Sequence, residues 1–281
     1  MKRVKLIALD MDGTLLLGDH WTIPQENVDA IRRAEAAGIR VCINTGRMFE
    51  DASDFVSRYA LPCAIISGDG TRVHTGAAKS GERVFCRNLA PGDAKRAIEL
   101  SLESGLTIHA FEDGFVNSVI GERGTPYHLL ERGLIGVRYG EEELFAAADR
   151  GLLKIFVVSE GFAGSVFSEK VPPLREKLKL ELPHLEISSS GLGNIEIVSA
   201  EAGKGRALDA YARMLGLTRE EVMAVGDAGN DLNMLEYAVH SVAMANARPE
   251  VLAACRYTTG SNEACGVAQI INCVLAAQGK I

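Results

Sequence analysis

Val4-Lys5-Leu6-Ile7-Ala8-Leu9-Asp10-Met11-Asp12-Gly13-Thr14-Leu15 is the stretch from which the rest of the chain can be read. A short apolar run ending in a carboxylate predicts a buried strand, and Gly13 predicts the turn that follows it. Thr22 and Gln25 then stand at capping-box spacing with Pro24 in the first turn, Val28, Ile31 and Ala34 recur at helical spacing, and Gly38 is a stop. Residues 39–43 predict a second buried strand, ending at Asn44, Thr45 and Gly46. Strand, helix and strand in this order form a βαβ unit, which favours a parallel sheet. A third strand is expected at 63–66, before the turn Ser67-Gly68-Asp69-Gly70.

The middle of the chain departs from this alternation. Residues 83–87, 107–111 and 115–120 predict strands, with a helix at 91–104. A short helix at 142–149, a strand at 153–158, a helix at 172–180 and strands at 185–189 and 194–198 complete an α+β stretch. The simpler pattern then returns: a helix at 204–215, a strand at 222–225 ending in Gly226-Asp227, a helix at 232–238, a strand at 241–244 and a closing helix near 267–277.

The 281 residues suggest two domains. Apolar residues make up 47% and charged residues 24%, which excludes an acidic disordered chain. A net charge of −7 disfavours nonspecific binding to nucleic acid or to anionic membrane. No apolar run approaches the roughly 20 residues of a membrane span. Asp10 and Asp12 interrupt the first apolar run too early for a signal peptide. The six cysteines include no C-x-x-C pair, so neither a zinc site nor a disulfide framework is expected, and reduced thiols in a cytoplasmic protein are.

Four constellations carry chemistry. Asp10 and Asp12 are two apart on extended chain and project to one side, at the end of a strand where ligands of open α/β sheets bind. Two carboxylates there repel each other unless a cation or proton lies between them, although turn-capping aspartates have the same spacing. Asn44-Thr45-Gly46-Arg47 offers a hydroxyl and backbone amides to an oxyanion, or simply a helix cap. Lys204 lies between two glycines at a helix start, where it is either a charge for a ligand or an ordinary solvated lysine. Gly226-Asp227-Ala228-Gly229-Asn230-Asp231 places three oxygen-bearing side chains within five residues, suited to Mg²⁺ or to a capped turn. Each falls at a strand end or a helix start, so together they bring a nucleophile, a proton carrier, a cation site and a positive clamp to one sheet edge, the inventory of phosphoryl transfer.

In this order the four motifs resemble the haloacid dehalogenase (HAD) superfamily of phosphatases. Asp10-Met11-Asp12-Gly13-Thr14-Leu15 is similar to its first motif, Thr45-Gly46-Arg47 to the second, Lys204 to the third, and Gly226-Asp227 with Asn230-Asp231 to the fourth. The long insert resembles the cap of the Cof-type subgroup, and Thr259-Gly260-Ser261-Asn262-Glu263-Ala264-Cys265-Gly266-Val267 is similar to its C-terminal signature. The chain departs from the subgroup after the third strand, where Ser67-Gly68-Asp69-Gly70 replaces the usual Asn-Gly-Ala and adds a carboxylate to the site edge.

The resemblance implies an α/β fold: a Rossmann-like parallel-sheet core at residues 1–83 and 199–281, with an inserted α+β cap domain at 84–198. It implies an Mg²⁺-dependent phosphoric monoester hydrolase of small phosphorylated metabolites, sugar phosphates among them, with no nucleic-acid or membrane partner. Asp10 is the implied nucleophile and Asp12 the acid and base. The Asp10 carboxylate, the Asp12 backbone carbonyl and Asp227 are the implied metal ligands. Thr45, the Gly46 amide, Lys204 and Asn230 would bind phosphoryl oxygens, with Arg47 supporting and Asp231 orienting Lys204 or a metal-bound water. His109, Glu112, Tyr127, His128 and Tyr139 are polar or aromatic candidates in the insert, and none is assigned to the site. A phosphomutase or phosphotransferase of the same superfamily, and a non-catalytic phospholigand binder, are the alternatives; a nucleotide switch lacks its G-x-x-x-x-G-K-[ST] loop.

Overall fold

The computed structural model describes residues 3–121, 133–160 and 166–280. The first segment builds β1 (Leu6–Leu9), α1 (Gln25–Ala36), β2 (Arg40–Asn44), α2 (Phe49–Arg58), β3 (Ala64–Ser67), β4 (Arg72–His74) and β5 (Arg83–Cys86). Next come α3 (Pro91–Leu102), β6 (Thr107–Glu112), β7 (Phe115–Val119), β8 (Gly136–Tyr139), α4 (Glu141–Arg150), β9 (Lys154–Val158), α5 (Val171–Glu181), β10 (Glu186–Ser188) and β11 (Asn194–Val198). The chain closes with α6 (Lys204–Met214), β12 (Val222–Gly226), α7 (Leu232–Tyr237), β13 (His240–Ala243), α8 (Pro249–Ala254), β14 (Tyr257–Thr258) and α9 (Gly266–Ala277).

Two compact units result: Met1–Cys86 with Lys204–Ile281, and Arg87–Gly203. The divisions fall at 86/87 and 203/204, where the sequence reading puts 83/84 and 198/199. The first difference has a physical source. Residues 84–86, read as the start of the insert, belong to β5, which pairs with β4 at the edge of the larger sheet. β4 itself has only three residues and no alternation long enough to announce it.

The larger sheet runs β14-β13-β12-β1-β2-β3-β4-β5. Its six strands from β14 to β3 are parallel, and β4 and β5 return antiparallel. β1, β3, β12 and β13 are buried along their whole length, which explains their continuous apolar runs. Burying one such Leu, Ile or Val stabilises by roughly 1.5–3 kcal/mol. The chain leaves β1 toward β2 on one side and returns through β12 on the other, so β1 is the switch point of the strand order.

α1 begins at Gln25 behind Pro24, with no side-chain cap. Thr22 does not close the expected capping box. Its hydroxyl donates to Asp19 Oδ2 (2.5 Å) and its amide to Asp19 Oδ1 (2.9 Å). An aspartate three residues earlier offers a local turn that competes with the helix cap.

In the other unit the sheet order is β10-β11-β9-β6-β7-β8, antiparallel except for the β7–β8 pair. α3, α4 and α5 pack on one face through Ala97, Leu144 and Leu178 against Ile108, Ile155 and Ile195. His109 is bonded to Ser118 Oγ (2.9 Å). Glu112 accepts from Asn117, Arg138 and Arg150 at 2.7–2.9 Å; burial pushes its carboxyl up, but these bonds and both guanidinium charges leave it below the ordinary value. Tyr139 is exposed, and Tyr127 and His128 lie outside the described residues.

The glycine after Lys204 is explained by packing. A Cβ on Gly205 would collide with the Asn233 carbonyl, 2.7 Å from its carbon, and the Gly205 amide already donates to Asn233 Oδ1 (3.0 Å). α6 and α7 therefore meet at backbone distance, and the expected role in admitting a ligand is not needed for this residue. Gly205→Ala should lower stability by about 1–3 kcal/mol, read as a reduced urea midpoint with an unchanged slope.

Candidate active site

The register of the parallel strands assembles the site. Leu9 is paired with Ile43 on one side and Val225 on the other. One residue further on, Asp10, Asn44 and Gly226 stand level at the carboxyl edge, and Thr45, Asp12 and Asp227 follow within two residues. The Asp10 amide donates to the Val225 carbonyl (3.1 Å), which holds β1 in line up to the carboxylate itself.

Lys204 is buried, contrary to the usual fate of a lysine. Its Nζ donates to Asp10 Oδ1 (2.7 Å) and to Asp231 Oδ1 (2.6 Å). Burial alone would pull the ammonium's pKa down. The charges of Asp10, Asp231 and Asp69 more than offset that and hold it well above the ordinary value. Asn44 Nδ2 donates to the Lys204 carbonyl (3.0 Å), which ties β2 to the first turn of α6.

Asp231 accepts the Asp227 and Ala228 amides on its second oxygen, both at 3.0 Å. Gly226 is required here, because a Cβ would lie 2.7 Å from the Asp231 Cγ. Asp227 is half-buried and accepts from Thr14 Oγ1 (2.9 Å). Oxygens of Asp10, Asp227 and Asp231 all lie within 4.8 Å of one another. Burial raises the Asp10 carboxyl well above its ordinary range, and the Asp231 and Asp227 charges add to this against Lys204. Burial, then the Asp231 charge, pushes Asp227 up to about 7. One lysine does not neutralise three carboxylates, so the cluster favours a hard dication.

The Asp12 side chain is not part of this cluster. It turns toward Arg47, whose Nε and Nη2 bond its two oxygens at 2.7 and 2.6 Å, and toward His20 Nδ1 at 2.9 Å. Arg47 is buried and anchored from behind by Asp51 (2.9 Å). Burial raises the Asp12 carboxyl, but the Arg47 bonds and charge, with His20, hold it well below the ordinary range. The same contact raises the His20 imidazole.

Between Asp10 and Asp12 the chain makes one wide turn, Met11–Leu15, closed by the Leu16 amide on the Met11 carbonyl (2.9 Å). Gly13 has φ +77°, and a Cβ there would strike the Asp227 carboxylate. The C-terminal signature holds this turn. Asn246 Nδ2 donates to the Gly13 carbonyl (2.8 Å), Asn262 Nδ2 to the Leu16 carbonyl (2.9 Å), and the Asn262 amide to Asn246 Oδ1 (3.0 Å).

Thr45 does not cap α2, which begins four residues later at Phe49. Its Oγ1 accepts the Arg47 amide (3.1 Å), so the hydroxyl proton is left for another acceptor. Asn230 is buried beside Gly46 and donates Nδ2 to Asp69 Oδ1 (3.1 Å). All nine expected site residues thus gather at one edge of the larger sheet. Reasoning from sequence missed Thr14, His20, Asp51, Asn246 and Asn262. Thr14 lies inside the first motif, Asn262 inside the C-terminal signature and Asp51 four residues from Arg47, while His20 and Asn246 are joined to the site only by the fold.

A family model described as haloacid dehalogenase-like hydrolase matches residues 7–271. The chain is 33% identical to the 5-amino-6-(5-phospho-D-ribitylamino)uracil phosphatase YwtE of Bacillus subtilis, covering 98% of this chain and 99% of that protein. It is 31% identical to the HMP-PP phosphatase of Cronobacter sakazakii, over 89% and 87% of the two chains. Among solved structures, a haloacid dehalogenase-like hydrolase from B. subtilis superposes with a TM-score of 0.84 at 26% identity, over 96% and 99% of the chains. A HAD subclass IIB sugar phosphatase, at 20% identity and a TM-score of 0.78, shares the fold.

The raised Asp227 carboxyl sets a pH dependence. An acid whose folded pKa exceeds its unfolded one stabilises most below the unfolded value, about 3.9, and loses that contribution as pH rises through the folded one. With Asp227 at about 7, the metal-free protein should lose this contribution between pH 4 and 7. Protons and a dication compete for the same oxygens, so Mg²⁺ should raise the thermal midpoint more at pH 8 than at pH 6. An equal rise at both pH values would contradict the cluster's assignment.

Proposed function

The chain belongs to the haloacid dehalogenase-like hydrolases, and from that membership we propose a Mg²⁺-dependent phosphatase that works through an aspartyl phosphate on Asp10. It acts on small phosphorylated metabolites, as its relatives named for the phosphatase activities on HMP-PP and 5-amino-6-(5-phospho-D-ribitylamino)uracil do. Sugar phosphates are a further candidate class. The inserted unit is proposed as the cap domain that selects among leaving groups. No helix among the described residues is long and apolar enough to cross a membrane, and we place the enzyme in the cytoplasm.

One observation carries the reading: two carboxylates two residues apart sit in opposite electrostatic settings. Asp10 is buried beside Lys204, with no hydrogen-bond donor on Oδ2 among the described residues. Asp12 is partly exposed and held ionised by Arg47 and His20. The metal-free settings alone favour a protonated Asp10 and an ionised Asp12; a dication in the cluster around Asp10 would bring its carboxyl down and leave it the ionised nucleophile, while Asp12 stands outside the cluster as the proton carrier.

In the first step an Asp10 oxygen bonds to phosphorus, the bond to the leaving oxygen breaks, and that oxygen takes a proton from Asp12. In the second, water bonds to phosphorus, its proton passes to Asp12, and the Asp10–phosphorus bond breaks to release inorganic phosphate. Thr45 Oγ1, the Gly46 amide, Lys204 Nζ and Asn230 Nδ2 would bind the phosphoryl oxygens. Asp10, Asp227 and the Asp12 carbonyl would hold Mg²⁺, which supplies positive charge against carboxylate and phosphate oxygens. Asp231 keeps Lys204 in place. Arg47 and His20 favour the ionised Asp12 needed for the second step and oppose the protonated form needed for the first. Substrates with weakly basic leaving oxygens should therefore depend least on Asp12.

Removal of Mg²⁺ with EDTA should abolish phosphate release from an aryl phosphate, and added Mg²⁺ should restore it. Asp10→Asn should show neither turnover nor phosphoenzyme. Asp12→Asn should turn over about 10²–10⁴-fold more slowly and accumulate phosphate on Asp10, located by acid quench and peptide mass spectrometry. Label on a serine or histidine, or an active Asp10→Asn protein, would overturn the mechanism. Formation of a phosphosugar isomer in place of inorganic phosphate would identify a mutase.

A further inference from the structure

Asp69 has no part in the mechanism above, yet it lies among the groups proposed to bind the phosphoryl oxygens. It is 3% exposed. Its amide donates to the Thr45 carbonyl (3.1 Å), and the preceding Gly68 amide to the Arg47 carbonyl (2.7 Å), so the β3–β4 turn is docked onto the 45–47 loop. Its carboxylate lies against the Gly46 α-carbon: a Cβ built there would be 3.0 and 3.2 Å from the two oxygens. Asn230 Nδ2 donates to Oδ1 at 3.1 Å, and the Asp69 charge is one of those that keep Lys204 protonated. Thr45, Gly46, Lys204 and Asn230 are the four phosphoryl ligands of the proposed function, and Asp69 stands in contact with, or in the field of, each of them.

Resting on that reading, we propose that Asp69 sets the affinity of the site for phosphate: it fixes the Asn230 amide and places a negative charge behind the phosphoryl cradle, which weakens binding of the phosphate dianion. Two effects follow from one carboxylate. By accepting an N–H of Asn230 it fixes the position of that amide beside the phosphoryl cradle. By its charge it opposes any dianion held there, in a buried setting where repulsion is poorly screened. Substrate and product both carry the dianion, so the charge raises KM and hastens departure of inorganic phosphate. An asparagine would keep the first effect and lose the second.

Asp69 has φ +55°, a conformation asparagine tolerates well, so Asp69→Asn changes charge with little change of shape. Titration calorimetry with inorganic phosphate in the presence of Mg²⁺ should show binding to Asp69→Asn at least about tenfold tighter than to wild type, about 1.4 kcal/mol. KM for an aryl phosphate should fall in parallel, with no rise in kcat. A residue that only shaped the turn would leave phosphate affinity unchanged or weaken it when altered, and either result in the folded variant overturns the proposal. Should Asp69→Asn not fold, Asp69→Ser keeps a neutral acceptor for Asn230 while removing the charge and is read by the same criterion. Calorimetry needs no turnover: a wild-type protein that binds phosphate but hydrolyses no phosphomonoester would overturn the phosphatase reading, while the comparison between the two proteins still decides the role of Asp69.

Discussion

A buried ammonium between two buried carboxylates is the contact on which the rest of the site depends. Lys204 reaches Asp10 and Asp231 at once, and these come from three separate parts of the chain. Without it, β1 and the loop after β12 would bring like charges together with nothing between them. Removing one member of such a buried set costs about 3–5 kcal/mol, because the others are left unpaired. The lysine does not balance the site, however. Asp227 remains as an excess carboxylate, so the folded protein carries an electrostatic deficit that a dication corrects. The same charge that makes the edge hard to fold makes it selective for a metal.

A second cation handles a different task. Arg47 is buried, like Lys204, but it is pinned by Asp51 and holds Asp12 by a two-point contact. That geometry fixes where Asp12 points and which protonation state it favours. The wide turn Met11–Leu15 lets two aspartates of one short motif face these two different cations. An ordinary strand continuation would point them both the same way, and Gly13 is the residue that permits the departure.

Much of this was legible in the chain, for reasons that differ from residue to residue. β1, β2, β3 and β12 are continuous apolar runs because both faces are covered, and each ends in a polar residue at the sheet edge. Register then brings Asp10, Asn44 and Gly226 level, with Thr45 and Asp227 one residue beyond. β4, β8, α8 and β14 were not legible, having two to six residues each, too few for a period to show. Thr22 misled because Asp19 offered its oxygens first. Lys204 between its two glycines was read either as a charge for a ligand or as a solvated lysine, and the structure buries it while Gly205 serves helix packing. His20 and Asn246 could not have been found from spacing, since their partners are eight and 233 residues away.

The Asn246 and Asn262 bonds to the Gly13 and Leu16 carbonyls have a consequence for the order in which the protein is made. Asp10 is made well before β12, so β1 gains its second neighbour only when β12 has emerged, and its turn is clamped only once Asn262 has. Arg87–Gly203, by contrast, is contiguous and has its own core. Domains generally fold as units during synthesis, so this inserted unit can be complete while the flanking sheet still waits for three of its eight strands. Throughout that interval the nascent chain carries β1, β2 and β3 as an unfinished apolar sheet with an open edge. The stretch most exposed to mispairing and to chaperone capture is therefore the one that carries Asp10 and Asp12, and it remains so until Asn262 has emerged.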